Sequence, residues 1–146
     1  MEKHAPNVWV PREFYTTRFR LASAPERWPA QFTIVTAWAP TGESWPEERN
    51  LAADEALRRI LEAGGRWHHR ITGYDPAGNH AEPGWAIEQS LEEGVGLASR
   101  FQQLAIYVVS GGELRVVMCE RPGEPSRVAW FADRLDDPPA PGSGGA

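Results

Sequence analysis

Apolar and polar residues alternate along Tyr15 to Leu21 (YTTRFRL), with Tyr15, Thr17, Phe19 and Leu21 set against polar partners, as in a half-buried strand. Phe32 to Trp38 (FTIVTAW) is β-branched and aromatic, the composition of a central strand, and Pro40-Thr41-Gly42 ends it as a turn. Ser44-Trp45-Pro46-Glu47 has the form of a capping box, with Ser three residues before Glu. The spacing predicts a helix from there to about Ala63, with Ala53, Leu57, Ile60 and Leu61 on one face and Gly64-Gly65 as its stop. Arg66 to Tyr74 reads as a strand, Asp75 to Asn79 as a turn-rich loop, and Trp85 to Glu88 as a short strand. A second helix is predicted over Ser90 to Leu104, where Leu91, Val95, Ala98, Phe101 and Ala105 share a face. Ala105 to Val109 and Glu113 to Cys119 flank Ser110-Gly111-Gly112, a hairpin signal. Val128 to Leu135 reads as an amphipathic turn or two.

Without its first and last strands this order is βαββαβ, the ferredoxin-like unit. The expected fold class is α+β: a two-layer sandwich with two helices on one face of a mainly antiparallel sheet, where both apolar stripes are buried at once. Residues 1–13 read as an irregular lead-in with Pro6 and Pro11, residues 14–135 as one domain, and Asp136 to Ala146, rich in Pro and Gly, as a disordered tail.

Composition narrows the partners. A chain of 146 residues, 41% hydrophobic and 24% charged, is long enough for a core of its own. Its net charge of -5 has the wrong sign for binding nucleic acid through the overall field, and Arg66 to Arg70 (RWHHR) is its only basic cluster. No window approaches the roughly 20 apolar residues that cross a bilayer, and no apolar run follows Lys3 as in a signal peptide. The single cysteine, Cys119, excludes an internal disulfide and suits the cytoplasm; ending an apolar strand, it reads as a buried small hydrophobe. Seven tryptophans suit packing or an aromatic-lined groove.

Five phrases occur together: Thr36-Ala37-Trp38-Ala39-Pro40, Glu48-Arg49-Asn50, Gly73-Tyr74-Asp75-Pro76, Glu82-Pro83-Gly84-Trp85 and Phe101-Gln102-Gln103-Leu104-Ala105. On these the chain resembles, from about Tyr15 to Cys119, the small bacterial family catalogued as domain of unknown function 3293. The resemblance implies a small cytoplasmic protein without an established activity. The family pattern has Asn before the proline, where this chain has Ala39, and Gly within the Phe-x-Gln phrase, where it has Gln102. A role for an amide at the first position therefore does not carry over.

The phrases and the layout bring forward Thr36, Asn50, Asp75, His80, Glu82 and Gln103. The end of Phe32 to Trp38, the start of the first helix and the Asp75 to Glu82 loop are expected to meet at one edge, where the helix N-terminus would face an anion. His80 and Glu82 share a side if extended, which suits an acid/base pair, and Trp38 and Trp85 would supply flat walls. Each has a structural alternative: Glu82 accepting backbone N–H bonds, Asn50 capping the helix, Gln103 bonding a neighbouring loop, Thr36 filling a strand position. His68, His69, His80 and Cys119 match no zinc spacing, so no metal and no cofactor is expected. The expectation is a non-catalytic binding module for a small polar ligand or partner protein, using Thr36, Trp38, Asn50, Glu82, Trp85 and Gln103. The alternative is a small hydrolase or transferase with Glu82 as general base and His80 as acid or orienter. Self-association through an exposed edge at Glu113 to Cys119 is a third expectation.

Overall fold

A computed structural model describes residues 10–78 and 80–137. In chain order it contains a 3-10 turn (Arg12–Tyr15), β1 (Arg18–Arg20), β2 (Gln31–Thr36), α1 (Glu47–Gly64), β3 (His68–Tyr74) and β4 (Ala81–Ile87). α2 (Leu91–Arg100), β5 (Ala105–Ser110), β6 (Glu113–Met118), β7 (Ser126–Trp130) and α3 (Phe131–Arg134) follow. All pairs are antiparallel in one sheet of order β1-β3-β4-β2-β5-β6-β7. Its middle, β3-β4-β2-β5, is the expected βαββαβ unit, so the α+β class holds and the order agrees with it.

Period-two alternation gives the sheet two buried faces. Val35, Trp85, Ile87, Ile106 and Val117 point to the layer of α1 and α2 and meet Leu57, Leu61 and Ala98. Phe32, Ile34, Ala86, Tyr107, Leu114 and Val116 point to the other side. That second core requires a curled sheet. Phe19 on β1 lies four places from β5 in the strand order, yet its ring centroid is 5.3 Å from that of Tyr107. Leu135, just after α3, forms a parallel bridge with Phe19 and carries the last segment back to the first strand. The two-layer expectation is thus incomplete, because the concave face is filled as well. Trp28, Phe32, Trp67 and Phe131 plug one end of it.

Several boundaries differ from expectation. The alternation from Tyr15 shortens to Arg18–Arg20, because Tyr15 is taken by the 3-10 turn. Ser44 forms no capping box: α1 is capped by Pro46 without a side-chain bond, and Trp45 lies 3.7 Å under the Arg49 guanidinium. The capping box is at α2, where Ser90 and Glu93 satisfy each other's backbone N–H groups. α2 ends at Arg100 rather than Leu104 because Gln102 adopts φ 61° and turns the chain into β5.

Val128 to Leu135 supplies both β7 and α3. β6 is therefore paired on both sides, and Glu113 to Cys119 is not the exposed edge expected. Asp136 is not tail: it binds Arg18 at 2.8 and 3.0 Å, accepts from the Tyr74 hydroxyl, and sends its N–H to Phe19 O at 2.8 Å. The expectations for residues 1–9 and 138–146 lie outside the described residues. Among the described residues no helix is long and apolar enough to cross a membrane.

Candidate functional site

Glu82-Pro83-Gly84-Trp85 lies wholly within β4. β4 pairs with β3 along its whole length, whereas β2 pairs with it only up to Gly84 opposite Thr36. Pro83 lies past the end of β2, with a neighbour on one side only, where a missing N–H is tolerated. Gly84 is required by its neighbour. A Cβ there would come within 2.7 Å of the Thr36 methyl and 2.8 Å of Val35 O, so the bare backbone lets the Thr36 side chain cross the concave face.

Extended backbone places Glu82 with Gly84 and Ala86 on the concave face, and Trp85 on the other. Trp85 is buried under α1: its Nε1 donates to Asp54 Oδ1 at 3.3 Å, and Arg70 stacks 4.1 Å over its ring while binding Asp54 at 2.6 and 2.8 Å. Trp85 is therefore not a wall for anything that meets Glu82. Trp38 is not among the residues that line the concave cavity, and its carbonyl is the part that matters there. Asn50 neither caps α1 nor faces a ligand. It is buried, and its Oδ1 accepts the Ala39 N–H at 2.8 Å, which fastens the loop after β2 to the helix.

The other candidates meet. On the concave face a cavity of about 490 Å³ is lined by Thr36, Asp75, His80, Glu82 and Gln103, five of the six polar residues singled out from the sequence. Phe14, Phe19, Ile34 and Tyr107 form its apolar part, and Glu13 and Glu43 stand at it as well. Gln103 follows α2, and its Nε2 donates to Trp38 O at 2.8 Å and Phe101 O at 3.1 Å. Its Oε1 is thereby turned to Thr36 Oγ1, 2.9 Å away. Glu82 Oε1 lies 3.4 Å from the same hydroxyl, and Glu82 Oε2 accepts from His80 Nε2 at 2.6 Å. The Glu82 side chain is 25% exposed and His80 68%, so a largely buried carboxylate is met by an imidazole standing in solvent. Among the described residues the Glu82 oxygens bond side chains rather than the backbone N–H groups a loop-locking role would use. The lining includes no residue of α1, so the expected helix-terminus anion site does not form, and its acidic side chains carry the opposite sign.

Tyr107 was missed, although a tyrosine in an otherwise aliphatic strand (AIYVVS) was a readable signal. Its hydroxyl donates to Phe14 O at 2.7 Å, and burial pushes its pKa well up, so it stays protonated. Burial also pushes the Cys119 thiol up to about 11, which removes thiolate chemistry near neutrality. His68 and His69 bond different carbonyls, Arg66 O and Ser23 O. Among the described residues no three His, Cys, Asp or Glu side chains are grouped as a metal ion would need.

The model of DUF3293, described as a protein of unknown function, matches residues 35–106. That stretch belongs to the DUF3293 family. It contains Thr36, Asp75, His80, Glu82 and Gln103, while Glu13, Phe14, Phe19 and Tyr107 come from outside it. No curated protein and no solved structure is significantly similar to the chain. The DUF3293 match therefore gives a family without a chemistry, and the cavity must supply the rest.

Proposed function

We propose that this protein is a non-catalytic binding module that takes a small polar molecule, or a side chain of a partner protein, into the concave cavity. One observation carries the reading: Thr36, Glu82 and Gln103, from three separate segments, stand in contact on the wall of a cavity whose floor is apolar. Binding sites commonly combine a mostly apolar hollow with a few convergent polar groups. The same reading makes it a cytoplasmic protein of bacteria, supported by the lone, buried Cys119 and by the family resembled.

The test is a thermal-shift screen of amino acids, sugars, nucleosides and small amines, repeated on Thr36→Trp, which fills the cavity. A compound that raises the melting temperature of the native protein and not of the variant supports the reading. Stabilisation that survives the filled cavity, or a screen without any stabiliser, sinks it.

The His80–Glu82 contact of 2.6 Å favours a second reading, a small hydrolase or transferase in which Glu82 is general base and His80 acid or orienter. Turnover lost in both Glu82→Gln and His80→Gln, with uptake of the same compound retained, would decide for it.

A further inference from the structure

We propose that the cavity is selective for an organic cation, a primary ammonium or guanidinium group on a small apolar body; this rests on the binding reading above. The argument is a count of protons. Gln103 spends both amide hydrogens on the carbonyls of Trp38 and Phe101, so it can only accept from the cavity side. A flipped amide would set Oε1 against those two carbonyl oxygens, so the backbone fixes the orientation. Gln103 Oε1, Thr36 Oγ1 and Glu82 Oε1 then form a row at 2.9 and 3.4 Å. Three oxygens share one proton, that of the Thr36 hydroxyl. Whichever neighbour receives it, one close oxygen pair is left with no hydrogen between its members. The Tyr107 hydroxyl gives no help, since it donates to Phe14 O. A ligand that only donates fits this wall, and an ammonium has three donors and no acceptor.

Charge points the same way. The carboxylates and imidazole of the lining are Glu13, Glu43, Asp75, Glu82 and His80, and it has no lysine or arginine. Elsewhere the chain neutralises carboxylates with arginine: Asp54 with Arg70, Glu93 with Arg66, Glu113 with Arg115 and Arg127, Asp136 with Arg18. Glu82 is more buried than Glu93 and Asp136, yet among the described residues its ionic partner is His80, two-thirds exposed and free to swing away. An incoming cation replaces His80 at the carboxylate. Phe14 and Tyr107 offer aromatic surface to its body, and aromatic faces also attract cations.

The experiment uses matched probes on the isotopically labelled full chain: amines, alcohols and carboxylic acids carrying butyl, cyclohexylmethyl and benzyl bodies. Nuclear magnetic resonance follows the Gln103 side-chain amide and the Thr36 methyl. The amines are expected to shift both signals, the alcohols to bind about tenfold more weakly, and the acids to leave them unchanged. In Glu82→Gln the amine affinity should fall about tenfold. Should that variant not fold, the comparison of amines with acids on the unaltered protein decides alone. Acids or alcohols binding as tightly as amines would overturn the cation assignment and leave the cavity reading standing. Amine affinity unchanged in a folded Glu82→Gln would overturn it too. If no probe shifts either signal at millimolar concentration, both fall together.

Discussion

At the scale of single residues, the contacts of Glu82 decide between scaffold and site. A carboxylate that holds a fold accepts backbone N–H groups or a guanidinium, and such charge-assisted bonds are worth about 1.5–3 kcal/mol each. Glu82 instead meets an exposed imidazole and a hydroxyl at the limit of hydrogen-bond distance. Exposed ion pairs contribute about 0–1 kcal/mol, and the lining gathers Glu13, Glu43 and Asp75 on the same side as an opposing repulsion. Glu82→Gln is therefore expected to keep its melting temperature within a few degrees of the native value, or to raise it, in a calorimetric scan. A fall larger than that would make Glu82 scaffold. Thr36, His80, Glu82 and Gln103 were legible because short-range rules place them: residues two apart on a strand share a face, and a glutamine after a helix reaches for a nearby loop. The same rule takes Trp85 away from them. With residues 82–85 extended, positions three apart must face opposite ways. The partnership of Asp54, Arg70 and Trp85 joins α1, β3 and β4, and no local pattern announces it.

At the scale of elements, α1 and α2 are each preceded by a Ser-x-x-Glu pattern, and only the one at Ser90 is used. Ser44 is separated from α1 by Pro46, which with its extended ψ of 150° is itself the N-cap, so the helix begins at Glu47. At α2 the box is reinforced from outside, because Arg66 binds both Glu93 oxygens, at 2.8 and 2.6 Å. The Arg66 guanidinium, and after it the Ser90 N–H, lower the Glu93 pKa from 4.5 to about 2. A depressed carboxylate pKa adds stability that is complete above the unfolded value and disappears as pH falls through the folded one. Glu93→Gln keeps a side chain able to accept from Ser90 but carries no charge for Arg66. In melts across acidic pH, the native protein's advantage over Glu93→Gln is expected to shrink from pH 4.5 to about 2. Parallel curves would mean the pair adds nothing. The helix is also placed by a close approach: a Cβ at Gly94 would come within 2.8 Å of Thr33 Cγ2 and 3.0 Å of Ile106 Cδ1. The glycine that weakens the helix on propensity grounds sets its distance from the sheet. Periodicity shows which face of α2 is apolar but carries no information on that distance.

At the scale of the whole molecule, the βαββαβ order could be read from the sequence and the curl could not. Strand and helix periods are local, whereas closure joins Arg18 to Asp136, 118 residues away, and Phe19 to Leu135. Without closure the concave face would be an open apolar surface, and the cavity would lack its Phe14 and Phe19 side. Phe131 makes the closure hydrophobic. It is 7% exposed, with ring centroids 5.3 Å from Trp28, 5.4 Å from Phe32 and 5.9 Å from Phe19, and its N–H is tied to Gly112 O at 2.8 Å. Truncating a buried phenylalanine costs about 3–5 kcal/mol, a large share of the 5–15 kcal/mol that holds a typical domain together. Phe131→Ala should therefore lower the urea midpoint by a corresponding amount with an unchanged slope, since the helix-side core is untouched. It should also weaken any ligand that the cavity takes, although Phe131 is not among the lining residues, because Phe19 rests on both. A loss under about 1 kcal/mol, well short of a core truncation, would mean that the sheet holds its curl through β1 and Asp136 alone. Stability lost with binding intact would show that the plug and the cavity are independent parts of one face.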